Sequence, residues 1–367
     1  MLVVNAGSSS LKLTLLDGDE VAAERELAAP KAEVDPGELR KALDSPLGQA
    51  DAVGHRIVHG GERFRQAVRV DADVEAALRE LTELAPLHQP KSLAALDAVS
   101  AALPALPAVA CFDTAFHATL SPAAATYALP AEWRERWGLR RFGFHGLSHA
   151  WIARRAPELL GVSPAGLRIV SCHLGAGASL CAIEDGQSID TTMGFTPLEG
   201  LVMATRSGSV DPGMLLWLLE HEQLSAGELT DALEHRSGLL GLAGSPDMRE
   251  IIERARAGDQ EGGLALDVYV HRLCSGIAAM AASLRGLDVL VFTGGVGERS
   301  AVVRSRAAAG LGFLGVVIDE QRNAQGTGET DISAHVGAAR TLVLRAREDL
   351  EIARQTRAVL GPAGAQG

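Results

Sequence analysis

The 367-residue chain is poor in lysine, because only four of its 34 basic residues are lysines and the others are arginines. Acidic residues outnumber the basic ones, and the formal net charge is −12. This balance argues against a general nucleic-acid binder and against a protein held at an anionic membrane surface. A codon preference for arginine explains the scarcity of lysine more simply than a functional reason does.

The chain also lacks the sequence features of secretion, membrane insertion and disulfide scaffolds. Its four cysteines, at positions 111, 172, 181 and 274, are scattered without a CxxC pair, which favours buried thiols in a reducing cytoplasm over disulfides or a zinc site. No stretch reaches the roughly 18 uninterrupted apolar residues that a membrane helix needs. Because the N-terminus begins with an apolar strand pattern and not a basic leader, we expect a cytoplasmic protein with no membrane partner.

Apolar strand-like runs alternate with helical periods along the whole chain, which predicts the α/β class. The length exceeds that of a usual single-core domain, so two domains or one large α/β assembly are expected. Strands are predicted at Leu2–Asn5, Leu11–Leu16, Ala52–Val58, Ala108–Phe112, Leu167–Cys172, Ser179–Ile183, Val289–Phe292 and Leu342–Leu344. Helices are predicted at Val74–Leu84, Leu93–Leu103, Met248–Ala257 and Leu264–Leu284.

One internal repeat stands out. The segment Gly7–Ser10 leads through an apolar strand to the turn Asp17–Gly18, and Gly175–Ala178 leads in the same way to Asp185–Gly186. Each repeated unit therefore reads as strand, glycine-rich turn, strand and tight hairpin. Although Asp-Gly hairpins are common, two matched units predict a duplicated fold with a ligand held between the copies.

Three segments rich in small residues are candidates for phosphate binding: Asn5–Ser10, His173–Gly177 and Gly294–Glu298. Small side chains let backbone N–H groups approach a phosphate closely. None of the three is a Walker A loop, and none matches the dinucleotide-binding fingerprint. A plain tight turn explains any one of them, but three in one chain favour nucleotide phosphates.

Four charged residues stand where they could contact a phosphate or a metal. Lys12 follows the first glycine-rich segment and is either a phosphate contact or an exposed strand lysine. Asp113 ends an apolar strand, where a carboxylate often holds Mg²⁺ or orients a nucleophile, although it could also cap the following turn. Arg56 and Arg206 suit a carboxylate or phosphate ligand, or else a structural ion pair.

The histidines suggest a rival enzyme class. His55 and His59, and likewise His145 and His149, have a spacing of four residues, which on a helix would suit a metal-dependent hydrolase. Neither pair carries the glutamate of a His-Glu-x-x-His motif, and the first pair lies in a predicted strand. His145, between glycines, suits hydrogen bonding to a transferring group.

Several long and unusual segments occur in one order between residue 3 and about residue 357. They are Val4–Lys12, Gly54–Glu62, Leu84–His88, Phe112–His117, Phe142–His149, Ser171–Ser179, Met193–Gly200, Thr205–Gly208, Asp247–Arg249 and Phe292–Ser300. In these segments the chain resembles the acetate kinase family, the ATP-dependent kinases of short carboxylic acids.

The resemblance implies the duplicated actin-like, sugar-kinase-like ATPase fold (ribonuclease H-like), with two domains around a central cleft. The expected domains are 1–114 plus 350–367, on the acetate and magnesium side, and 115–349, for nucleotide binding and dimerisation. The implied enzyme is a phosphotransferase with a carboxyl group as acceptor. It would convert acetate and ATP reversibly into acetyl phosphate and ADP by direct in-line transfer, and it would act as a homodimer.

The resemblance also implies residue roles. Asp113, His145, Arg56 and Arg206 would be catalytic, and the two arginines would grip the carboxylate and the transferring phosphoryl group. Mg²⁺, for which Mn²⁺ can substitute, would be held at Asn5 and Glu348. Besides Arg56, the acid's binding site would comprise Val58, Leu87, Phe144 and Pro197. The ATP contacts would be Lys12, His173, Leu174, Gly175, Ala176, Gly177, Asp247, Met248, Arg249, Gly295, Val296, Gly297, Glu298 and Arg299.

The chain departs from the family pattern at two nucleotide segments, where Ala176 and Arg299 each replace an asparagine. A propionate or butyrate kinase is the first alternative, although the β-branched Val58 narrows the pocket and favours acetate. A non-catalytic actin-like ATP-binding protein is an alternative of another class. Retention of the two arginines with Asp113 and His145 argues against it, because nucleotide binding alone needs no carboxylate clamp.

Overall fold

The computed structural model describes residues 1–6, 10–28, 35–44, 46–84, 89–326 and 328–361. The chain forms two compact units. The first comprises Met1–Ala118, Phe144–Trp151 and the chain from Arg347 onward, and the second comprises Thr119–Gly143 and Ile152–Ala346. The domain division predicted from the sequence stays a prediction.

The first unit contains a six-stranded mixed sheet. Its strands are β1 (Leu2–Ala6), β2 (Ser10–Asp17), β3 (Glu20–Ala28), β4 (Val53–Ile57), β5 (Val68–Arg69) and β6 (Ala108–Phe112). Their order across the sheet is β3-β2-β1-β4-β6-β5. The pairs β1–β4 and β4–β6 are parallel, and the other neighbours are antiparallel.

The second unit repeats this sheet. Its strands are β7 (Arg168–Leu174), β8 (Ala178–Glu184), β9 (Gln187–Thr191), β10 (Val289–Thr293), β11 (Thr330–Asp331) and β12 (Arg340–Val343), in the order β9-β8-β7-β10-β12-β11. Each pairing has the same direction as its counterpart, and both outer hairpins carry a register shift. The duplicated fold predicted from the repeat is confirmed.

Helices cover both sheets. In the first unit these are α1 (Pro36–Leu43), α2 (Ala72–Glu80), α3 (Gln89–Ala102) and α15 (Glu348–Leu360). Helix α6 (Gly146–Leu160) begins there and continues into the second unit. The second unit also holds α4 (Pro122–Ala125), α5 (Ala131–Trp137), α7 (Pro212–His221), α8 (Ala226–His235), α9 (Gly238–Ala243), α10 (Met248–Arg256), α11 (Gln260–Ser283), α12 (Gly294–Arg299), α13 (Ala301–Gly310) and α14 (Glu320–Gln325).

Two helices sandwich the centre of the first sheet. On one face, Val53 and Ile57 of β4 lie in apolar clusters that include residues of α3. On the other face, a Cβ at Gly54 would come within 2.5–2.6 Å of Thr356 and Ile352 in α15. Glycine therefore lets α15 lie directly on β4, with its N-terminal residue Glu348 near the carboxyl ends of the strands.

Helix α11 is the longest in the described part of the chain and the one helix there that could cross a membrane by length and composition. Core helices of globular proteins pass the same test. Here Gly276 packs so closely on the second sheet that a Cβ would lie 2.7 Å from Leu180.

The four cysteines are free thiols. Three of them are buried as expected, and Cys274 is half-buried.

The buried histidines His55 and His59 predict that the protein loses stability in acid. Burial lowers the pKa of each to about 4, so both are neutral in the folded state at pH 7. As pH falls from about 6.5 to about 4, the two histidines bind protons in the unfolded chain but stay largely neutral in the folded chain. We expect each histidine to lower the free energy of unfolding by about 3 kcal/mol at pH 4.

Urea unfolding at pH 7.5 and pH 4.5 measures this effect. The His55→Gln variant should lose less stability between the two values than the wild type does. The control His271→Gln changes an exposed histidine of α11 and should behave as the wild type. An equal loss in the wild type and in His55→Gln would contradict the prediction.

Candidate active site

Three polar residues meet at the carboxyl ends of neighbouring strands in the first unit. Val4 of β1 and His55 of the parallel strand β4 are paired. Asn5 comes directly after Val4 and Arg56 directly after His55, so the side chains of Asn5 and Arg56 lie on the same face of the sheet. Asp113 follows β6, and its N–H donates to the carbonyl of Ile57 at 3.0 Å. The carboxyl ends of parallel strands are the usual ligand-binding edge of such sheets.

The side chains at this edge form one hydrogen-bonded cluster. Arg56 donates Nε to both carboxylate oxygens of Asp113 at 3.1 Å and Nη2 to Oδ2 at 2.6 Å. Its Nη1 donates to Asn5 Oδ1 at 3.1 Å. Asn5 Nδ2 in turn donates to Glu348 Oε2 at 3.1 Å, which brings together both residues expected to hold a metal.

Asp113 is the buried member of this cluster, and Asn5, Arg56 and Glu348 are half-buried. Asp113 is 1% exposed, and burial raises the pKa of its carboxyl group while Arg56 opposes that shift. Burial lowers the pKa of Arg56, but Asp113 and Glu348 outweigh it and raise that pKa above its ordinary value. Arg56 thus stays a cation at any physiological pH. Glu348 opens α15, where the helix dipole favours a carboxylate.

His145 lies beside this cluster in an unusual backbone conformation. Its φ of 55° is in the left-handed region, and the neighbouring Gly143 has a φ of 75°. The N–H of Gly146, the first residue of α6, donates to the carbonyl of Asp113 at 2.8 Å. A Cβ at Gly146 would overlap that carbonyl oxygen, so only glycine allows the start of α6, directly after His145, to contact the Asp113 backbone in this way.

The residues expected to contact the acid's methyl group are found in both units. Val58 and Phe144 are buried in the first unit, where the Phe144 ring meets the His59 ring edge-on at 5.5 Å. Pro197 is buried in the second unit. Leu87 lies outside the described residues.

The second unit contains a cavity of about 820 Å³, within the range of small-ligand sites. It brings together parts of all three segments expected to contact ATP. Those lining residues are Gly175, Ala176, Asp247, Met248, Arg249, Gly295, Val296 and Arg299. The cavity wall also includes apolar residues that the sequence reasoning missed, among them Leu239, Ile252 and Tyr269.

Other residues expected to contact ATP bind backbone groups or do not line the cavity. Leu174 is fully buried under Gly294, and Glu298 Oε1 accepts the N–H groups of Gly294 and Ala346. His173, Gly177 and Gly297 are not among the cavity's lining residues. Lys12, in the first unit, forms an exposed ion pair with Glu24 at 2.9 Å, and its expected ATP contact stays a prediction.

A buried arginine that the sequence reasoning missed supports the third ATP segment. Arg304 is 1% exposed, and its Nη1 donates to the carbonyls of Gly297 and Glu298 at 2.8 and 2.9 Å. Its Nε and Nη2 bind Asn323. Burial lowers the pKa of Arg304. These four hydrogen bonds go to neutral acceptors, so Arg304 fixes the end of α12 without an acidic partner among the described residues.

Arg206, in the second unit, is held from two sides. Its Nε lies 3.2 Å from Glu234 Oε2 in α8, and its Nη1 donates to the carbonyl of Pro197 at 3.1 Å. Gly238 approaches so closely that a Cβ would lie 2.7 Å from the Arg206 carbonyl oxygen and overlap that of Met203. The φ of Gly238 is also positive, at 61°, so glycine is required there.

The histidine-rich metallohydrolase alternative finds no support in this arrangement. Among the described residues, no group of three or more His, Cys, Asp or Glu side chains is placed to hold a metal ion. His55 is a buried residue of strand β4, and His59 is buried just beyond the end of that strand. The oxygen donors of Asn5 and Glu348 are of the kind that Mg²⁺ takes together with water and substrate phosphates.

The duplicated sheets have the actin-like, sugar-kinase-like fold. In this chain the first copy carries the arginine–carboxylate cluster, and the second carries the cavity lined in part by glycines. The family model of the acetokinase family matches residues 36–354. The chain therefore belongs to the acetokinase family, as the sequence resemblance predicted, and it is a phosphotransferase that uses a carboxyl group as acceptor.

The similarity extends over nearly the whole chain. An acetate kinase of Nostoc punctiforme is 50% identical over 84% of this chain and 76% of its own. The crystal structure of Porphyromonas gingivalis acetate kinase has a TM-score of 0.90 at 36% identity, covering 98% of this chain and 99% of that one. A propionate kinase of Francisella tularensis gives the same TM-score and coverage at 34% identity.

Proposed function

We propose that this protein is an acetate kinase that catalyses the reversible, Mg²⁺-dependent transfer of the γ-phosphoryl group of ATP to acetate. The products are acetyl phosphate and ADP. The observation that carries the proposal is the hydrogen-bonded cluster in which Arg56 joins Asn5 and the buried Asp113 at the strand ends of the first unit. A guanidinium held in this way is a preorganised cation for an anionic acceptor.

The chemistry requires positioning and charge neutralisation more than covalent work. The acetate carboxylate is ionised at pH 7, so it can attack the γ-phosphorus in line without a strong general base. Arg56 binds the carboxylate, Asp113 holds Arg56 in place, and Arg206 stabilises the transferring phosphoryl group. His145 donates a hydrogen bond to the same group in the transition state.

Mg²⁺ is assigned to Asn5 and Glu348. Their amide and carboxylate oxygens suit this ion, which is usually bound by one or two carboxylates and by substrate phosphates. When bound, Mg²⁺ would neutralise charge on the ATP phosphates. The hydrogen bond from Asn5 Nδ2 to Glu348 keeps the carboxylate oriented for this task.

The cavity of the second unit is assigned to ATP and ADP. Its wall combines the apolar side chains of Met248, Ile252 and Val296 with the arginines Arg249 and Arg299. Apolar surface suits a nucleotide base, and guanidinium groups suit phosphates. Arg299 supplies a cation where the family has asparagine, whereas Ala176 removes a side-chain contact.

Trapping of acyl phosphate with hydroxylamine tests the proposal. The purified protein is incubated with MgATP and with acetate, propionate or butyrate in parallel. We expect hydroxamate from acetate, less from propionate, and none without Mg²⁺. Hydroxamate from none of the three acids would refute the kinase assignment, and a butyrate preference would refute the acetate assignment.

Val58 sets the acceptor preference in this proposal. The Val58→Ala substitution removes two methyl groups and makes room for the additional methylene of propionate. We expect the ratio of kcat/KM for propionate over acetate to rise about 10-fold, since one methylene is worth roughly 1–3 kcal/mol. The control Val21→Ala alters an exposed valine of β3 and should leave the ratio unchanged; an unchanged ratio in Val58→Ala would remove Val58 from the pocket.

We also propose a cytoplasmic homodimer that pairs through α7. This helix is strongly apolar, yet it has no buried residue, and Leu216 and Trp217 are 59% and 48% exposed. A second copy of the chain would cover such a face. Light scattering should give the dimer mass for the wild type and for the control Val162→Glu, but the monomer mass for Leu216→Glu; a dimeric Leu216→Glu would exclude α7 as the interface.

A further inference from the structure

Glu234 is an acidic residue that contacts Arg206, an expected catalytic residue, although no sequence motif pointed to it. Its side chain is 9% exposed and lies 3.2 Å from Arg206 Nε. Its backbone carbonyl accepts the hydroxyl of Thr205 at 2.9 Å. Glu234 thus contacts both Thr205 and Arg206, one through the main chain and the other through the carboxylate.

The backbone around Arg206 is fixed by the same region. Ser207 N–H donates to the carbonyl of Leu233 at 3.0 Å, and Ser237 N–H donates to that of Thr205 at 2.9 Å. The end of α8 and the start of α9 therefore immobilise the loop. With the main chain fixed, the remaining freedom of Arg206 is in its long side chain, which Glu234 restrains at Nε.

A second set of contacts supports Arg206 at Nη1 through the carbonyl of Pro197. The loop of Pro197 is held by Glu199, whose Oε2 accepts the Tyr127 hydroxyl at 2.5 Å and whose Oε1 accepts Arg141 Nη2 at 2.7 Å. Arg141 Nη1 also binds three successive backbone carbonyls from residue 191 to residue 193. Gly194 leaves the space that the Tyr127 and Glu199 side chains occupy.

We propose that Glu234 is a positioning residue for phosphoryl transfer, which holds the guanidinium plane of Arg206 in its productive orientation. The proposal rests on the role of Arg206 in the proposed function. A guanidinium binds phosphoryl oxygens best when its planar fork faces them, and a displacement of about 1 Å can cost about 100-fold in rate. A buried carboxylate at Nε fixes the plane while the Pro197 carbonyl limits rotation at Nη1.

A double-mutant cycle on the full-length protein tests this inference, with Glu234→Gln, Glu234→Ala, Arg206→Ala and the combination of Arg206→Ala with Glu234→Gln. We expect kcat to fall about 10-fold in Glu234→Gln, which keeps one acceptor oxygen, and about 100-fold in Glu234→Ala. The KM values for ATP and acetate should change less than about threefold. In the Arg206→Ala background, Glu234→Gln should have no further effect on kcat, because its target is already absent.

The control Asp231→Asn changes an exposed acid of the same helix, paired with Arg236, and should retain wild-type kcat. Thermal unfolding identifies variants that fail to fold. If Glu234→Ala fails to fold, the nearly isosteric Glu234→Gln still tests the proposal. Wild-type kcat in Glu234→Gln, or equal losses in both backgrounds, would overturn the positioning role. A wild type without hydroxamate would refute the proposed function itself, and full activity in Arg206→Ala would overturn the role of Arg206 and this inference with it.

Discussion

The Arg56→Ala variant should lose at least about a thousandfold in kcat, because it removes the cation that the proposed function assigns to the acetate carboxylate. It should also lose about 3–5 kcal/mol of stability, since it leaves the Asp113 carboxyl group buried without its partner. The pKa of Asp113 is then expected to rise further, because burial raises it and Arg56 no longer opposes that shift. The proposal thus makes catalysis and folding depend on the same ion pair, Arg56 with Asp113.

Hydroxamate formation and urea unfolding measure the two effects on the same preparations. Arg56→Lys should recover part of the stability but little of the rate, because an ammonium cannot form the bidentate contact with Asp113. The control Arg69→Ala, at an exposed position of β5, should retain both properties. Normal turnover in Arg56→Ala would remove Arg56 from the reaction, and normal stability would contradict the buried pair.

Gly146→Ala should lower kcat about 100-fold or more, although it adds one methyl group and removes no functional group. The new Cβ would overlap the carbonyl oxygen of Asp113, so α6 would have to move away from the end of β6. His145 immediately precedes this residue and would move with the helix. A misplacement of about 1 Å in a catalytic group can cost this much.

Kinetics and thermal unfolding on Gly146→Ala separate misplacement from general instability. The control Gly263→Ala adds a methyl group within α11, where nothing lies within 4 Å of the new Cβ, and it should be neutral or slightly stabilising. A fully active Gly146→Ala would show that catalysis does not depend on the present contact between the start of α6 and the Asp113 carbonyl.

The sequence predicted the centre of each sheet better than the edges. The eight predicted strands include β1, β4 and β6 of the first unit and β7, β10 and β12 of the second, whose apolar runs are buried on both faces. Strand β3 was not predicted, because most of its residues are exposed and its sequence has no continuous apolar run. The two-residue strands β5 and β11 are too short to show any period.

The helices were predicted less completely. The predicted helices correspond to α2, α3, α10 and α11, with ends shifted by up to four residues, and the 3-10 turn Leu81–Leu84 closes the first of them. Helix α6 contains Pro157, which interrupts a helical pattern, and the apolar α7 has hardly any polar face to give a period. Helix α15 was missed although its first residue, Glu348, was expected at the metal site.

Within the site, motif residues were found but their supports were not. Asn5, Arg56, Asp113 and Glu348 do come together, because adjacent strand ends and one helix N-terminus meet at one edge. Glu234 was not singled out, since the helix residue has no motif and contacts Arg206 only through the fold. Conversely, Glu298 lies in a glycine-rich segment that suggests phosphate contact, yet its carboxylate binds backbone N–H groups.

The two sheets with matching strand order have a practical meaning for redesign of this enzyme. The residues assigned to the acceptor are mostly in the first copy, and the cavity assigned to the nucleotide is formed within the second. Libraries for new acceptor acids can therefore be confined to first-copy positions such as Val58 and Phe144. Donor libraries can be built in the same way around Met248 and Arg299 of the second copy.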